Sequence, residues 1–285
     1  MFPFSIQTLT HNPAHAEIRL VYAGLESFDS SVWKCTVVGP YCHERQTIAV
    51  AYAASSPTEQ GWIVHIPEPC LWSAATPFLY EVKVQKRGEQ YHHRWGIRAL
   101  TVQRKRFLEN QEPMAIRAVR VLKGFDETLA GQLRRAGVNS LMMPLSELLG
   151  ENAQLADRYG FHVLYEINPE EDELLWKAES TLPLHISTMG YLLPQATMQQ
   201  PQLWHNAMLH LHRQRRDIFI GIPVDTLPLS VVQGHVEFLV APSSQMEELA
   251  VVKMPVIASV RRFDVLAEEL PTNWAGRVSR VLPGE

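Results

Sequence analysis

Apolar and polar positions follow two rhythms along this chain. As far as about Val102 they alternate in short β-prone runs, at residues 17–22, 32–38, 46–50 and 61–66, which Gly, Pro and Ser clusters separate at the spacing of a β-sandwich. Residues 80–85 alternate strictly, and Arg87-Gly88-Glu89 turns the chain into a further strand. After Arg106, longer apolar runs alternate with helical segments, the pattern of β/α units around a parallel sheet. Strands are predicted at 115–120, 140–144, 161–167, 217–222, 235–240 and 254–259. Between them, Asp126 caps an amphipathic helix that stops at Gly137. A second helix closes at Gly160, and a third covers about 202–216. A closed (β/α)8 barrel needs eight strands. Either residues 183–187 and 277–282 supply the last two, or the barrel is incomplete.

Composition narrows the function classes. A chain of 285 residues, 46% apolar and 20% charged, can bury a sizeable core. A net charge of −4 offers no footprint for nucleic acid, and the basic run Arg213-Gln214-Arg215-Arg216 reads as the end of a surface helix. No apolar run reaches the ~18 residues a membrane span requires. The first residues lack the basic and apolar regions of a signal peptide. Cys35, Cys42 and Cys70 follow no C-x-x-C spacing, so neither zinc nor a disulfide framework is expected, and the thiols fit a cytoplasmic protein.

The stretch Pro69-Cys70-Leu71-Trp72-Ser73-Ala74-Ala75-Thr76-Pro77-Phe78-Leu79-Tyr80, followed by Trp95-Gly96-Ile97-Arg98, is specific. It resembles the end of the immunoglobulin-like domain of glycoside hydrolase family 2, the β-galactosidase, β-glucuronidase and β-mannosidase family. Residues 107–119 look like that family's F-x-L-N-G-K-P-V-F-L-R-G-V, which forms the first barrel strand. Residues 136–141 and 157–168 are similar to its G-x-N-x-V/I-R and C-D-x-Y-G-L-x-V-x-D-E-x-N segments. The resemblance implies an immunoglobulin-like β-sandwich over residues 1–102 and a TIM-barrel-like domain over 103–285, without the family's N-terminal sugar-binding domain. In this reading Trp72 and Tyr80 anchor sandwich to barrel, and Trp33 and Trp62 fill the sandwich core.

Departures from the family pattern fall where its chemistry lies. The family's arginine after Asn139 falls on Met142, the histidine of its S-H-Y-P on Leu145, and its N-x-H on Arg120-Val121-Leu122. The acid/base glutamate falls on Thr226 and the nucleophile on Val260. Retaining hydrolysis needs two carboxylates about 5 Å apart. Threonine delivers no proton near neutral pH, and valine cannot attack an anomeric carbon. The resemblance therefore implies a non-catalytic pseudoglycosidase, a binding or scaffolding protein that keeps some carbohydrate recognition. The alternative is an active glycosidase using Glu166 with Asp225 or Glu237.

Candidate ligand-binding residues are Glu166, Asn168, Asp225 and Arg261, all expected at C-terminal strand ends. Glu166 is weighed as a structural partner of a neighbouring strand, and Arg261-Arg262 as an ion pair with Asp225 or Glu166. The acidic loop Glu170-Glu171-Asp172-Glu173 reads as solvated, and no metal or cofactor is expected. His205 and His212 share a helix face but lie too far apart for one ion, and His92 and His93 point to opposite faces of a strand. The expected partners are a carbohydrate or another protein, with the oligomeric state open. Met142, Leu145 and Val260 are apolar where the family is polar, so they are expected to converge and be buried.

Overall fold

The computed structural model describes residues 2–12, 14–54, 56–145, 149–167, 181–194, 197, 200–212, 218–224, 236–260 and 274–279. They form two compact units, Met1–Arg98 with Pro183–Ile186, and Ala99–Leu182 with Ser187–Glu285.

The first unit is a pair of antiparallel four-stranded sheets. One is ordered β1-β2-β6-β5, with β1 Phe4–His11, β2 His15–Tyr22, β5 Ser56–Thr58 and β6 Gly61–Pro67. The other is ordered β4-β3-β7-β8, with β3 Trp33–Tyr41, β4 Val50–Ala53, β7 Leu79–Lys86 and β8 Glu89–Trp95. Period-two alternation sends Ala16, Ile18 and Leu20 of β2 and Tyr80, Val82 and Val84 of β7 into one core. Trp33 and Trp62 are buried there as expected. Trp72 and Tyr80 also belong to this core, where the phenol oxygen of Tyr80 accepts the Cys70 amide at 2.9 Å. The observed strands differ from expectation in two respects. Strand β4 starts at Val50, where the predicted run 46–50 ended, and β1 and β5 are additional strands. Pairing with β3 in the register Gly39↔Val50 to Thr36↔Ala53 selects those later residues.

The second unit opens with a three-stranded antiparallel sheet ordered β11-β10-β9, with β9 Leu100–Gln103, β10 Arg106–Glu109 and β11 Glu112–Met114. Asn110 and Gln111, at φ 51° and 75°, form the two-residue turn of the last hairpin. Pro113 lies on an edge strand, where its missing N–H costs least.

Eight parallel strands then close a barrel in chain order: β12 Ile116–Arg120, β13 Ser140–Pro144, β14 His162–Glu166, β15 Thr188–Leu192, β16 Phe219–Pro223, β17 Phe238–Pro242, β18 Val256–Val260 and β19 Gly276–Ser279. The strand ring is thus complete. The incomplete alternative is corrected, because β19 pairs with both β12 and β18. The run 183–187 is not a barrel strand. Leu182–Leu184 forms a 3-10 turn, and Thr188–Leu192 supplies the fourth strand instead. Gly190 permits that placement, because a Cβ there would run into the Phe219 carbonyl of the neighbouring strand.

Alternation within each strand separates the interior from the outer layer. Ala118, Met142 and Leu164 face a core shared with Phe219, Phe238 and Val278, whereas Val119, Leu141 and Tyr165 face the other way. Both faces being buried explains the near-continuous apolar runs in the sequence. Three described α-helices lie between strands: α1 Glu127–Arg135, α2 Leu149–Tyr159 and α3 Pro201–His212. Asp126 caps α1 by accepting the Leu129 amide at 2.8 Å, and Gly137 and Gly160 take positive φ just after α1 and α2. The β17–β18 connection uses two 3-10 turns instead.

Candidate functional site

The C-terminal ends of the strands form the face on which parallel barrels carry their chemistry. Among the last residues of the eight strands, Glu166 alone supplies a carboxylate and Arg120 alone a cation. Strand β13 runs between them, with Arg120 in register with Met142 and Pro144 in register with Glu166. Both side chains reach across that strand and meet. Arg120 Nε and Nη2 each lie 3.0 Å from Glu166 Oε2. The Glu166 carbonyl also accepts the Leu145 amide at 3.0 Å, which fixes the strand end that carries the carboxylate. The pair is partly exposed, at 38% and 27%, so solvent screens it and its contribution to stability is about 0–1 kcal/mol.

Apolar side chains take several of the neighbouring described positions. Met142, Leu145 and Val260 are 6%, 8% and 8% exposed, so all three are buried as expected. They do not form one cluster. Met142 packs in the barrel interior, whereas Leu145 and Val260 pack in the outer layer with Val121, Ile167 and Leu193. Alternation along the strands divides them: Val260 follows the outward parity of Val256 and Ala258, a direction that sequence spacing across different strands does not reveal.

Of the candidate ligand-binding residues, Glu166 is the one whose surroundings are visible. Asn168, Asp225 and Arg261, together with Thr226, Arg262 and the acidic loop 170–173, lie outside the described residues. The partner that Glu166 makes is Arg120, which sequence reasoning treated only as a replacement for a family motif. The available signal was topological, because opposite charges end two barrel strands separated by a single strand.

Glu237 belongs to the opposite end. It precedes β17, donates its amide to the Ile220 carbonyl at 2.8 Å, and accepts the Ile220 amide on Oε2 at 2.6 Å. Roughly 15 Å of strand separates that level from the C-terminal ends, at about 3.3 Å per residue. The Glu237 carboxylate is thus engaged by the Ile220 amide just before β17 begins, not offered at the C-terminal end of a strand. The same N-terminal end holds a second unforeseen pair, His162 Nε2 at 3.1 Å from Glu109 Oε1, with the histidine fully buried.

Burial raises the Glu237 pKa from the usual 4.5 to about 7, against the opposing effect of the Ile220 hydrogen bond. The folded chain then holds a proton that the unfolded chain releases first. Its stabilising contribution is complete below about pH 4.5 and is lost as the pH rises through about 7. Glu237→Gln is expected to raise the melting temperature near pH 8 by a few degrees, at roughly 2–4 °C per kcal/mol, and to change it little near pH 4. Thermal melts of both forms across that range check this, and equal slopes would show that Glu237 does not hold the proton.

His92 is exposed and meets Glu81 at 3.3 Å, whereas His93 turns to the other face and bonds the Leu184 carbonyl at 2.6 Å. Cys35, Cys42 and Cys70 are free. No helix among the described residues is long and apolar enough to cross a membrane.

An immunoglobulin-like pair of sheets leading into a closed eight-stranded parallel barrel is the arrangement of the family 2 glycosidases, and the chain has a fold related to theirs. Among solved structures it is similar to the beta-D-glucuronidase of Dictyoglomus thermophilum, with a TM-score of 0.70 and 17% identity over 97% of this chain and 61% of that one. It is also similar to Bacteroides uniformis beta-glucuronidase 3, with a TM-score of 0.71 and 13% identity over 97% of this chain and 46% of that one. A family 2 glycosyl hydrolase from Bacteroides cellulosilyticus matches with a TM-score of 0.68 and 14% identity, over 98% of this chain and 43% of that one. The chain thus spans between about two fifths and three fifths of the length of these proteins. No protein-family profile and no curated protein matches it.

Proposed function

We propose that this chain is a degenerate relative of the family 2 glycosidases, a non-catalytic binding or scaffolding protein in the cytoplasm that keeps a carbohydrate-facing barrel. One observation carries the reading: the strand-end carboxylate of Glu166 is engaged by Arg120 at 3.0 Å. The burial of Val260, where the family resemblance places the nucleophile, supports it. A buried valine supplies no nucleophile. Glu166, Asn168, Asp225 and Arg261 are the residues offered to a ligand.

Aryl β-glucuronides, galactosides, mannosides and glucosides are therefore expected to show no turnover above buffer. Binding of the free sugars, read by calorimetry, is expected to weaken in Glu166→Gln. Hydrolysis that Glu166→Gln abolishes would overturn the proposal. It would promote the second reading, an active glycosidase pairing Glu166 with Asp225, which the beta-glucuronidases among the structural neighbours favour.

A further inference from the structure

We propose that β4 is a self-association edge, pairing antiparallel with β4 of a second copy of this chain across a two-fold axis. Strand β4 is terminal in its sheet and pairs only with β3 among the described residues. The Ala54 amide donates to the Cys35 carbonyl, which makes Cys35↔Ala54 a hydrogen-bonded pair of that ladder. Antiparallel ladders alternate, so Tyr52 and Val50 also turn their backbone groups toward β3, and Ala51 and Ala53 turn theirs toward the open edge. Soluble proteins usually shield such an edge with lysine, proline or a bulge. Here residues 46–58 carry no charge, and the strand itself holds neither proline nor bulge.

The side chains beside this edge are apolar and exposed. Ile48 is 87% and Val50 48% exposed, and Ala49, Ala51 and Ala53 are exposed as well. Apolar groups left in water on an open edge favour a partner that supplies both a strand and an apolar face. Two-fold pairing sets each residue near its own counterpart, so a charge in the strand would oppose its like; the neutral run meets that requirement. The outward-facing backbone positions fix the register, with Ala51 opposite Ala51 of the second copy and Val50 opposite Tyr52. The two sheets would join as β8-β7-β3-β4 to β4-β3-β7-β8. Four residues give few hydrogen bonds, so the dimer is weak, with a Kd on the order of micromolar to tens of micromolar.

Sedimentation of the full chain across a concentration series tests this independently of any ligand or activity. The unaltered chain is expected to pass from monomer to dimer as concentration rises. Ala51→Glu and Ala51→Lys, each placing like charges on the axis, are expected to weaken the dimer tenfold or more, and mixing the two variants restores association. Ala51→Pro removes an N–H that the β3 ladder does not use, and is expected to abolish the dimer while leaving the circular dichroism unchanged. A chain that stays monomeric to about 100 µM, variants that dimerise like the parent, a mixture that fails to associate, or capture of a foreign strand instead of a second copy would each overturn the proposal.

Discussion

Replacing Phe107 with alanine is expected to destabilise the barrel unit by about 3–5 kcal/mol, the cost of emptying a large aromatic site in a close-packed core. Phe107 is fully buried on the central strand of the three-stranded sheet that precedes the barrel. Its ring lies 5.5 Å from Phe219 and 5.7 Å from Phe238, centroid to centroid, and shares a cluster with Ile116, Ala118 and Val278. Phe219 and Phe238 begin their strands, so these rings fill the N-terminal end of the barrel interior. Removing one ring leaves the other two without a packing partner on that side, and neighbours held by a closed hydrogen-bonded ring relax only partly. Calorimetry should show a melting temperature lowered by about 10 °C, at roughly 2–4 °C per kcal/mol. A change below about 2 °C would mean that Phe107 does not fill the barrel end.

Gly276→Ala is expected to be still more disruptive, preventing barrel closure. Gly276 sits where β19 meets β12 and β18, in register with Ile116 and Ile257. A methyl added there falls inside the contact distance of both the Ile116 side chain and the Ile116 carbonyl. The obstruction is backbone, so no rotamer change relieves it, and the seam strands must separate or shift register. The expected result is a loss of more than about 4 kcal/mol, in the range that marks a named structural failure, read as insoluble protein or a lost near-ultraviolet spectrum. Gly150→Ala is the control. An added Cβ on that helical glycine meets nothing within 4 Å, and the change is expected to be neutral or to stabilise α2 by up to about 1 kcal/mol. If both variants behave alike, close approach at the seam is not what selects glycine at 276.

The two polar contacts, one buried and one partly exposed, differ in what they should cost. Glu109→Ala removes the polar neighbour of a fully buried imidazole, a loss on the order of 1–3 kcal/mol for a buried polar group left unsatisfied. Arg120→Ala breaks a screened pair and should change stability by no more than about 1 kcal/mol. Denaturant melts of the two variants compare them directly, and equal losses would contradict the difference in burial.

Much of this architecture is legible from residue order alone. The alternating runs before Val102 and the longer apolar runs after Arg106 separate antiparallel from parallel structure, because a sheet wetted on one face alternates and one covered on both does not. The Asp126 cap and the stops at Gly137 and Gly160 are local chemistry and fall where the residues require. Strand β15 was not legible: Thr188-Met189-Gly190-Tyr191-Leu192 carries a glycine that reads as a breaker until the crowding by Phe219 is seen.

The sequence by itself determined the fold class and the helix ends. Each follows from properties a residue brings with it: its period, its backbone preferences and its chemistry. Only the tertiary structure decided which groups meet. It set Arg120 against Glu166 across an intervening strand, sent Glu237 to the far end, buried His162 beside Glu109, and divided Met142 from Val260 between interior and outer layer. Those outcomes depend on strand register, and register is fixed by closure of the whole ring rather than by any one segment.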